Sequence, residues 1–430
     1  MCYILRKERW GAVLFNSSKR KYWLLNDTAF FMIKKLLIYK DRTVNSKILD
    51  FVKKMSMTID NTRIVEFSND FYPLTSPLYV DWYITPKCNL KCKYCFLTPQ
   101  FWEIPELNIF SKHVIANQLV TSGVFEVTLL GGEPLMDVAV LLEIVQILTS
   151  NYIKVDISTN GLLLQKFTKY VSEFDIDKEL VTISVSIQSL DPVILEKLTG
   201  FRYEIRQIFL KIEKLLQNNW NVAVTTVLTH LNIEEIPKIF EKCSKIGIKS
   251  YTIFYPYTST YISLQAIPSL SDILALRNKL RKLKEQKDIR SCYHLVGAFN
   301  FLLFNSNKML THIKDEHPFN KLGTLFCKAG ITKLDILPDG SVVPCILFPP
   351  NSWKLGNLLE GTSLRDIWGA NKKLYRLRDR KYPKKCKECI WKETCRGGCA
   401  GESYNKYMSI DRPDPRCPII KGEKWNAIQN

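Results

Sequence analysis

No apolar run in this chain approaches the roughly 18 residues that a membrane-spanning helix needs. Its first seven residues, Met1 to Lys7, hold too short an apolar core for a signal peptide. Internal repeats and low-complexity tracts are missing as well. Hydrophobic residues at 46% against 24% charged exclude wholesale disorder. These absences predict a cytoplasmic protein with no membrane partner, and 430 residues suggest about two or three domains. What the chain has in excess is positive charge and cysteine. Its 61 basic and 42 acidic residues leave +19, which favours an acidic partner or surface; nucleic acid and an acidic peptide are both candidates. Thirteen cysteines in a chain without an export signal predict metal binding or catalysis in preference to disulfides. Cys2, Cys243 and Cys292 are scattered, and the other ten fall into two clusters.

Residues 1–75 read as a small separate unit. Trp10–Phe15 and Lys21–Leu25 alternate as short strands do, with a turn at Asn16-Ser17-Ser18. Asn26-Asp27-Thr28 offers an N-cap before a helix over Ala29–Tyr39. Asp41-Arg42-Thr43 predicts a second helix through Lys54, and Asp60 a third, shorter one. A ribbon followed by three helices suits a winged-helix-like binding module, and residues 1–80 carry +7 (14 basic, 7 acidic).

From residue 78 to 260 six short β-rich runs follow: Tyr79–Thr85, Val124–Leu130, Ile153–Ser158, Val181–Ile187, Asn221–Leu228 and Ser250–Tyr255. Helix-compatible stretches separate them: Asn108–Thr121, Val138–Leu148, Leu163–Phe174, Glu204–Gln217 and Glu234–Lys245. The interval of about 30 to 45 residues is that of βα units, so the fold class is α/β with a partial (β/α)6 barrel. Six units cannot close an eight-stranded barrel, and the loops after the strand C-termini would carry the chemistry. Residues 261–326 form a bridging region with a charged helix (Ser271–Asp288) and an apolar stretch (Leu295–Leu310). Residues 327–430 are cysteine-rich and loop-rich, with +8 over residues 371–399 (11 basic, 3 acidic).

Cys88, Cys92 and Cys95 lie in one loop directly after the first barrel strand. Three thiolates in so short a loop can hold three irons of a cubane cluster and leave the fourth iron open for a substrate or cofactor. A zinc site completed by a distant ligand, or three unrelated buried thiols, is the competing reading. Gly131-Gly132-Glu133-Pro134 follows strand two: the glycines allow close backbone approach to a ligand, and the carboxylate can receive an ammonium. Thr159-Asn160-Gly161 follows strand three. Strand four, Ser184-Val185-Ser186-Ile187-Gln188, puts hydroxyls on one face. Asp81, Tyr83 and Asp156 face inward by the same alternation. The second cluster comprises Cys327, Cys345 (after Gly340), Cys386, Cys389, Cys395, Cys399 and Cys417. Seven thiols at this spacing exceed what one zinc needs.

Cysteines spaced by three and then two residues, with Tyr94 and Phe96 flanking the last, resemble the radical S-adenosylmethionine (SAM) superfamily. The resemblance covers about 330 residues by motif placement. It implies SAM as cofactor, bound to the open iron of a [4Fe-4S] cluster on Cys88, Cys92 and Cys95, and cleaved to a 5′-deoxyadenosyl radical. Gly131, Gly132, Glu133 and Pro134 would bind its methionyl amino group, Thr159 and Asn160 would face its ribose or methionyl end, and Ser186 would contact it. Gln188 departs from the aspartate that relatives often carry there. The second cluster is similar to the SPASM extension, which implies two auxiliary [4Fe-4S] clusters and three in all. Cys386, Cys389, Cys395 and Cys417 would ligate the outer one, and Cys327, Cys345 and Cys399 the inner. Either Cys292 or another group completes the inner set, or an iron stays open for a substrate thiolate.

Family members with this extension mostly modify peptides, and several carry an N-terminal domain resembling the pyrroloquinoline-quinone chaperone, which grips a leader peptide. Residues 1–75 suit that role, with a precursor peptide as partner and an electron donor such as flavodoxin or ferredoxin as another. Sulfatase-maturing relatives place an aspartate after the cysteine of the Gly-x4-Cys element; here it is Ile346, which disfavours formylglycine chemistry. The stretch Val343–Pro349 is similar to sactipeptide maturases. The expected activity is therefore a cysteine sulfur-to-carbon (thioether) crosslink, with a carbon–carbon crosslink as the alternative. A zinc-containing nucleic-acid-binding protein is the alternative of another class.

Overall fold

The computed structural model describes residues 1–41, 43–68, 74–258, 267–286, 289, 291–296, 299, 327–381, 383–389 and 391–422. The chain opens with β1 (Tyr3–Glu8), β2 (Gly11–Asn16) and β3 (Lys21–Leu25), then helices Asp27–Tyr39 and Ser46–Met55, then β4 (Thr62–Val65). These strands form one sheet in the order β3-β2-β1-β4, antiparallel except for the β1–β4 pair. The predicted ribbon is therefore the outer half of a wider sheet. Asn26 caps the first helix as expected, accepting from Ala29 N at 2.8 Å. The second helix starts later than predicted, because Asn45 is its cap; Asp41 instead holds Thr43 N at 2.9 Å in a local turn. The third helix is a single 3₁₀ turn at Ile59–Asn61, since the β-branched run that follows pairs with β1 as β4.

Alternation along β1 and β2 separates two cores. Tyr3, Leu5, Ala12 and Leu14 pack under the helices with Phe30, Ile33 and Leu37, whereas Ile4, Val13 and Phe15 join the main core. That core lies in a second sheet built from β5 (Tyr79–Thr85), β6 (Glu126–Gly131), β7 (Lys154–Thr159), β8 (Val181–Ser186), β9 (Asn221–Val227), β10 (Ser250–Phe254), β11 (Cys292–Val296), β12 (Lys333–Ile336), β13 (Ser341–Val343) and β14 (Gly356–Asn357). Its order is β11-β10-β9-β8-β7-β6-β5-β12-β13-β14, and β11 through β12 in that order are all parallel. The six predicted strands are thus joined by β11 on one side and by β12, β13 and β14 on the other, of which β11 and β12 extend the parallel part, and the sheet stays open.

The helices between strands bury regular stripes. In Ile205–Gln217, Ile208, Phe209, Ile212 and Leu215 are buried, one face at helical spacing. Helices Pro99–Trp102 and Pro192–Thr199 were not anticipated; each starts on a proline, which suits the first helical turn. The charged helix of the bridging region is present as Leu270–Gln286. Most of the apolar stretch Leu295–Leu310 lies outside the described residues. No helix among the described residues is long and apolar enough to cross a membrane.

Candidate active site at the mouth of the sheet

Parallel strands put their C-terminal ends at one edge, here called the mouth. At the end of β5 the chain runs through Thr85 and Lys87 into Cys88. The end of β6 is pressed against it: Gly132 N donates to Thr85 O at 2.8 Å, and Glu133 N to Lys87 O at 2.7 Å. A Cβ on Gly132 would stand 2.0 Å from the Lys87 carbonyl oxygen, so only glycine permits this approach. Glu133 is buried, and its carboxylate accepts from the Thr159 hydroxyl at 2.6 Å, Asn160 N at 2.8 Å and Leu135 N at 3.1 Å. Burial pushes this carboxyl up to about 7, against the pull of those hydrogen bonds. Asn160 Nδ2 in turn donates to Asn89 Oδ1 at 2.7 Å. The Cys88 loop, the β6 turn with Pro134 and the β7 turn are thereby joined into one floor.

Further along the mouth the Ser186 hydroxyl is 3.3 Å from that of Thr225 on β9. Ser184 bonds Asp156, whose carboxyl burial pushes upward. Gln188 is buried, and its Oε1 accepts Val227 N at 2.9 Å, which ties the side chain to the end of β9. Asp81 is paired with Lys333, and Tyr83 is buried edge-on against Phe101, ring centroids 5.6 Å apart.

The thiols assemble as three sets. Burial pushes Cys92 up to about 12 and Cys95 up to about 11, with Cys88 adding to both shifts. Tyr94 hydrogen-bonds Cys92. Cys386, Cys389, Cys395 and Cys417 line one cavity with Phe299, Trp391 and Ile419. Cys327 and Cys345 pack in the cluster of Phe348, Trp353 and Ala400, and Cys399 acts electrostatically on both of their neighbourhoods. Among the described residues no three His, Cys, Asp or Glu side chains gather at the spacing of ligands to a single metal ion. Cys292 opens β11 opposite Ser250, at the far end of the sheet from the inner set. That set neighbours Tyr257, which lies beyond the C-terminal end of β10. Cys292 is thus a strand length away, about 13 Å at the usual rise.

The inner set abuts the Cys88–Cys95 loop. Ile346 packs with Cys95, Phe96, Leu97 and Tyr83, and Phe96 meets Tyr257 edge-on with centroids 5.8 Å apart. Asp335 Oδ2 accepts Ile346 N at 2.7 Å, while Lys333 Nζ lies 2.9 Å from Oδ1. Sequence reading missed this pair, which sits on a strand, β12, too short to signal itself. It also missed Arg416, fully buried, which donates to both oxygens of Asp414 (3.0 and 2.7 Å) and to Pro256 O at 2.7 Å. The other carboxylate there, Glu402, accepts from Thr258 N at 2.7 Å and from the Thr258 hydroxyl. The only sequence signal for this network is an Asp–Arg pair beside Cys417.

The sequence pattern of the radical SAM superfamily matches residues 82–243, and that of SPASM, an iron–sulfur cluster-binding domain, matches residues 327–390. This is a radical SAM enzyme with a SPASM extension. Among curated proteins it is similar to mycofactocin maturase MftC of Mycobacterium tuberculosis, 24% identical over 83% of this chain and 86% of that one. It is also similar to the subtilosin biosynthesis protein AlbA of Bacillus subtilis, 24% identical over 79% and 70% respectively. In fold it is similar to Streptococcus suis SuiB, crystallised with its precursor peptide SuiA: TM-score 0.76 at 20% identity, covering 96% of this chain and 98% of SuiB. The radical SAM site fits the groups its family implies. The thiols are half-buried with raised pKa, so a positively charged iron core is what would hold them as thiolates.

Proposed function

We propose that this enzyme matures a ribosomally made precursor peptide by joining a cysteine sulfur to a carbon of the same peptide. The observation that carries the reading is the junction of the inner thiol set with the Cys88–Cys95 loop through Ile346, Phe96 and Tyr257. A vacant iron position on Cys327, Cys345 and Cys399 could bind the substrate thiolate within reach of a radical generated next door. The sulfatase-type base position, Ile346, lies in an apolar wall, which speaks against formylglycine formation. The likeness to SuiB, crystallised bound to a precursor peptide, and to a mycofactocin maturase and a bacteriocin biosynthesis protein supports a peptide substrate.

In this reading residues 1–75 hold the leader, 78–260 form the radical-generating barrel, 261–326 bridge, and 327–430 carry two auxiliary clusters. Strand β3 is the outer edge of its sheet, with Leu24 exposed, and an extended leader would add to it by backbone hydrogen bonds. When bound at Cys88, Cys92 and Cys95, the cluster with SAM supplies the hydrogen-abstracting radical. The chain's own part is to position and to exclude. Glu133 fixes the β6 and β7 turns through Thr159 and Asn160, Ser186 offers a hydroxyl to the cofactor, and Tyr83, Phe96 and Phe101 keep water from the junction.

Anaerobic co-expression with any short peptide encoded beside the gene, followed by mass spectrometry, tests the proposal. A thioether removes two hydrogens per link and protects that cysteine from alkylation. Loss of two hydrogens with the cysteine still alkylated would mean a carbon–carbon bond instead. An unchanged peptide mass, with deoxyadenosine released, would refute the crosslinking reading for that peptide.

A further inference from the structure

The cavity shared by Cys386, Cys389, Cys395 and Cys417 is walled by Phe299, Trp391, Pro413, Pro418 and Ile419, and Lys392 also lines it. Around its mouth the chain carries cations in immediate sequence with the thiols. Lys384 and Lys385 precede Cys386, Lys387 follows it, Lys392 comes three residues after Cys389 and Lys421 four after Cys417; all five are exposed. Lys381 pairs with Asp379 and Arg376 with Asp411, but Lys384, Lys385, Lys387 and Lys392 make no ion pair with a described residue. These four ammonium groups lie within nine residues that hold one carboxylate, the exposed Glu388, so the segment keeps a net positive charge. Lys392 lines the cavity itself and the other three are exposed within two residues of Cys386, so this charge sits beside the four thiols.

We propose that this lysine collar is the docking surface for an acidic one-electron carrier, a flavin or iron–sulfur protein, which exchanges electrons with the outer centre. The inference rests on the crosslinking reading. Joining sulfur to carbon removes two hydrogens: one leaves as an atom with the deoxyadenosyl fragment, the other as a proton and one electron. That electron equals the one spent in cleaving the cofactor, so the carrier that receives it at the collar returns in the reduced form needed for the next turnover. Complementary charge raises the encounter rate of such partners by about 10- to 1000-fold at low salt.

The test uses the anaerobically reconstituted holoenzyme and a purified flavodoxin of net negative charge as probe. Binding is measured for the wild type, for the triple variant K384E/K385E/K387E and for K166E/K214E on the outer barrel helices. The triple reversal should weaken binding at least about tenfold at low salt, with the difference shrinking to about twofold near 0.5 M salt as the charges are screened. K166E/K214E should stay within about twofold of wild type. The neutralising variant K384Q/K385Q/K387Q should fall between, and iron content guards against a folding defect. Equal losses in the triple and control variants, or a triple variant of full iron content with wild-type affinity, would overturn the proposal. Failure of the wild type to change a peptide's mass would overturn the crosslinking reading instead, and leaves the affinity comparison standing as a separate result.

Discussion

Two arginines, Arg6 and Arg416, are fully buried at opposite ends of the same sheet. Arg6 lies at the base: it pairs with Glu8 at 2.7 Å, donates to Ser76 O, Pro77 O and Gly123 O at 2.9 to 3.0 Å, and stands 4.6 Å over the Phe125 ring. Arg416 lies at the mouth with the same equipment: a carboxylate partner, the Pro256 carbonyl and the Tyr257 ring, 5.0 Å away. Both are seams that tie a flanking region to the barrel. The partners of the carboxylates differ. Glu8 spends its other oxygen on Thr75, while Asp414 accepts Cys399 N at 2.9 Å, and Arg416 itself precedes Cys417. One device therefore serves attachment alone at the base, and attachment plus the placing of thiols at the mouth.

The largest expected effect removes the mouth's chemistry without touching the base. Cys92→Ala should cut deoxyadenosine release by more than about 1000-fold and lower iron from about twelve to about eight per chain, if three cubanes are present. Retention of wild-type release would break the assignment of the loop. The arginines then test the comparison directly. Arg6→Met and Arg416→Met each strand a buried carboxylate, at a cost of about 3–5 kcal/mol read from urea unfolding. Only Arg416→Met should also lower iron content or alter the spectra of the auxiliary centres. If Arg6→Met does so equally, the two ends are not separate in function.

That division was only half legible in the sequence. The mouth announced itself because thiols and glycines have few structural uses at such spacing: Cys88, Cys92 and Cys95, the Gly131-Gly132 turn and the seven later cysteines stood out by residue type, while their division among clusters came from the family resemblance. The six central strands were visible because β-branched and aromatic runs alternate with helical stripes. Strands β11 and β12 were not, since five and four residues carry too little pattern to stand out from loops. β1 and β4 escaped for another reason: Arg6 and Glu8 in β1 and Arg63 in β4 interrupt the apolar pattern, and only tertiary packing reveals that Arg6 and Glu8 are buried together. Gln188 marks the limit of motif reasoning, for its position suggested a site while its amide oxygen is taken by Val227 N.

The two remaining predictions contrast a buried carboxylate at the mouth with a half-exposed ion pair at the base. Glu133 has a folded pKa of about 7 against an ordinary 4.5. Below 4.5 both states are protonated; between there and 7 the unfolded chain ionises while the folded one keeps its proton. Stability should therefore fall as pH rises through this window, by about 3 kcal/mol at most, and level off above it. Glu133→Gln should lack that slope in urea unfolding from pH 4.5 to 8, and an identical slope in both proteins would remove Glu133 as its source. At the base, Arg20 Nε donates to Glu126 Oε2 at 2.6 Å from a side chain half exposed to solvent, and the Tyr22 hydroxyl holds the other oxygen. Solvent screens such a pair, so Arg20→Ala should cost no more than about 1 kcal/mol and the difference should vanish in high salt. Deoxyadenosine release should not change. A change beyond about twofold would mean that the turn before β3 reports to the mouth through Glu126, and the two ends would then be coupled along the length of the strands.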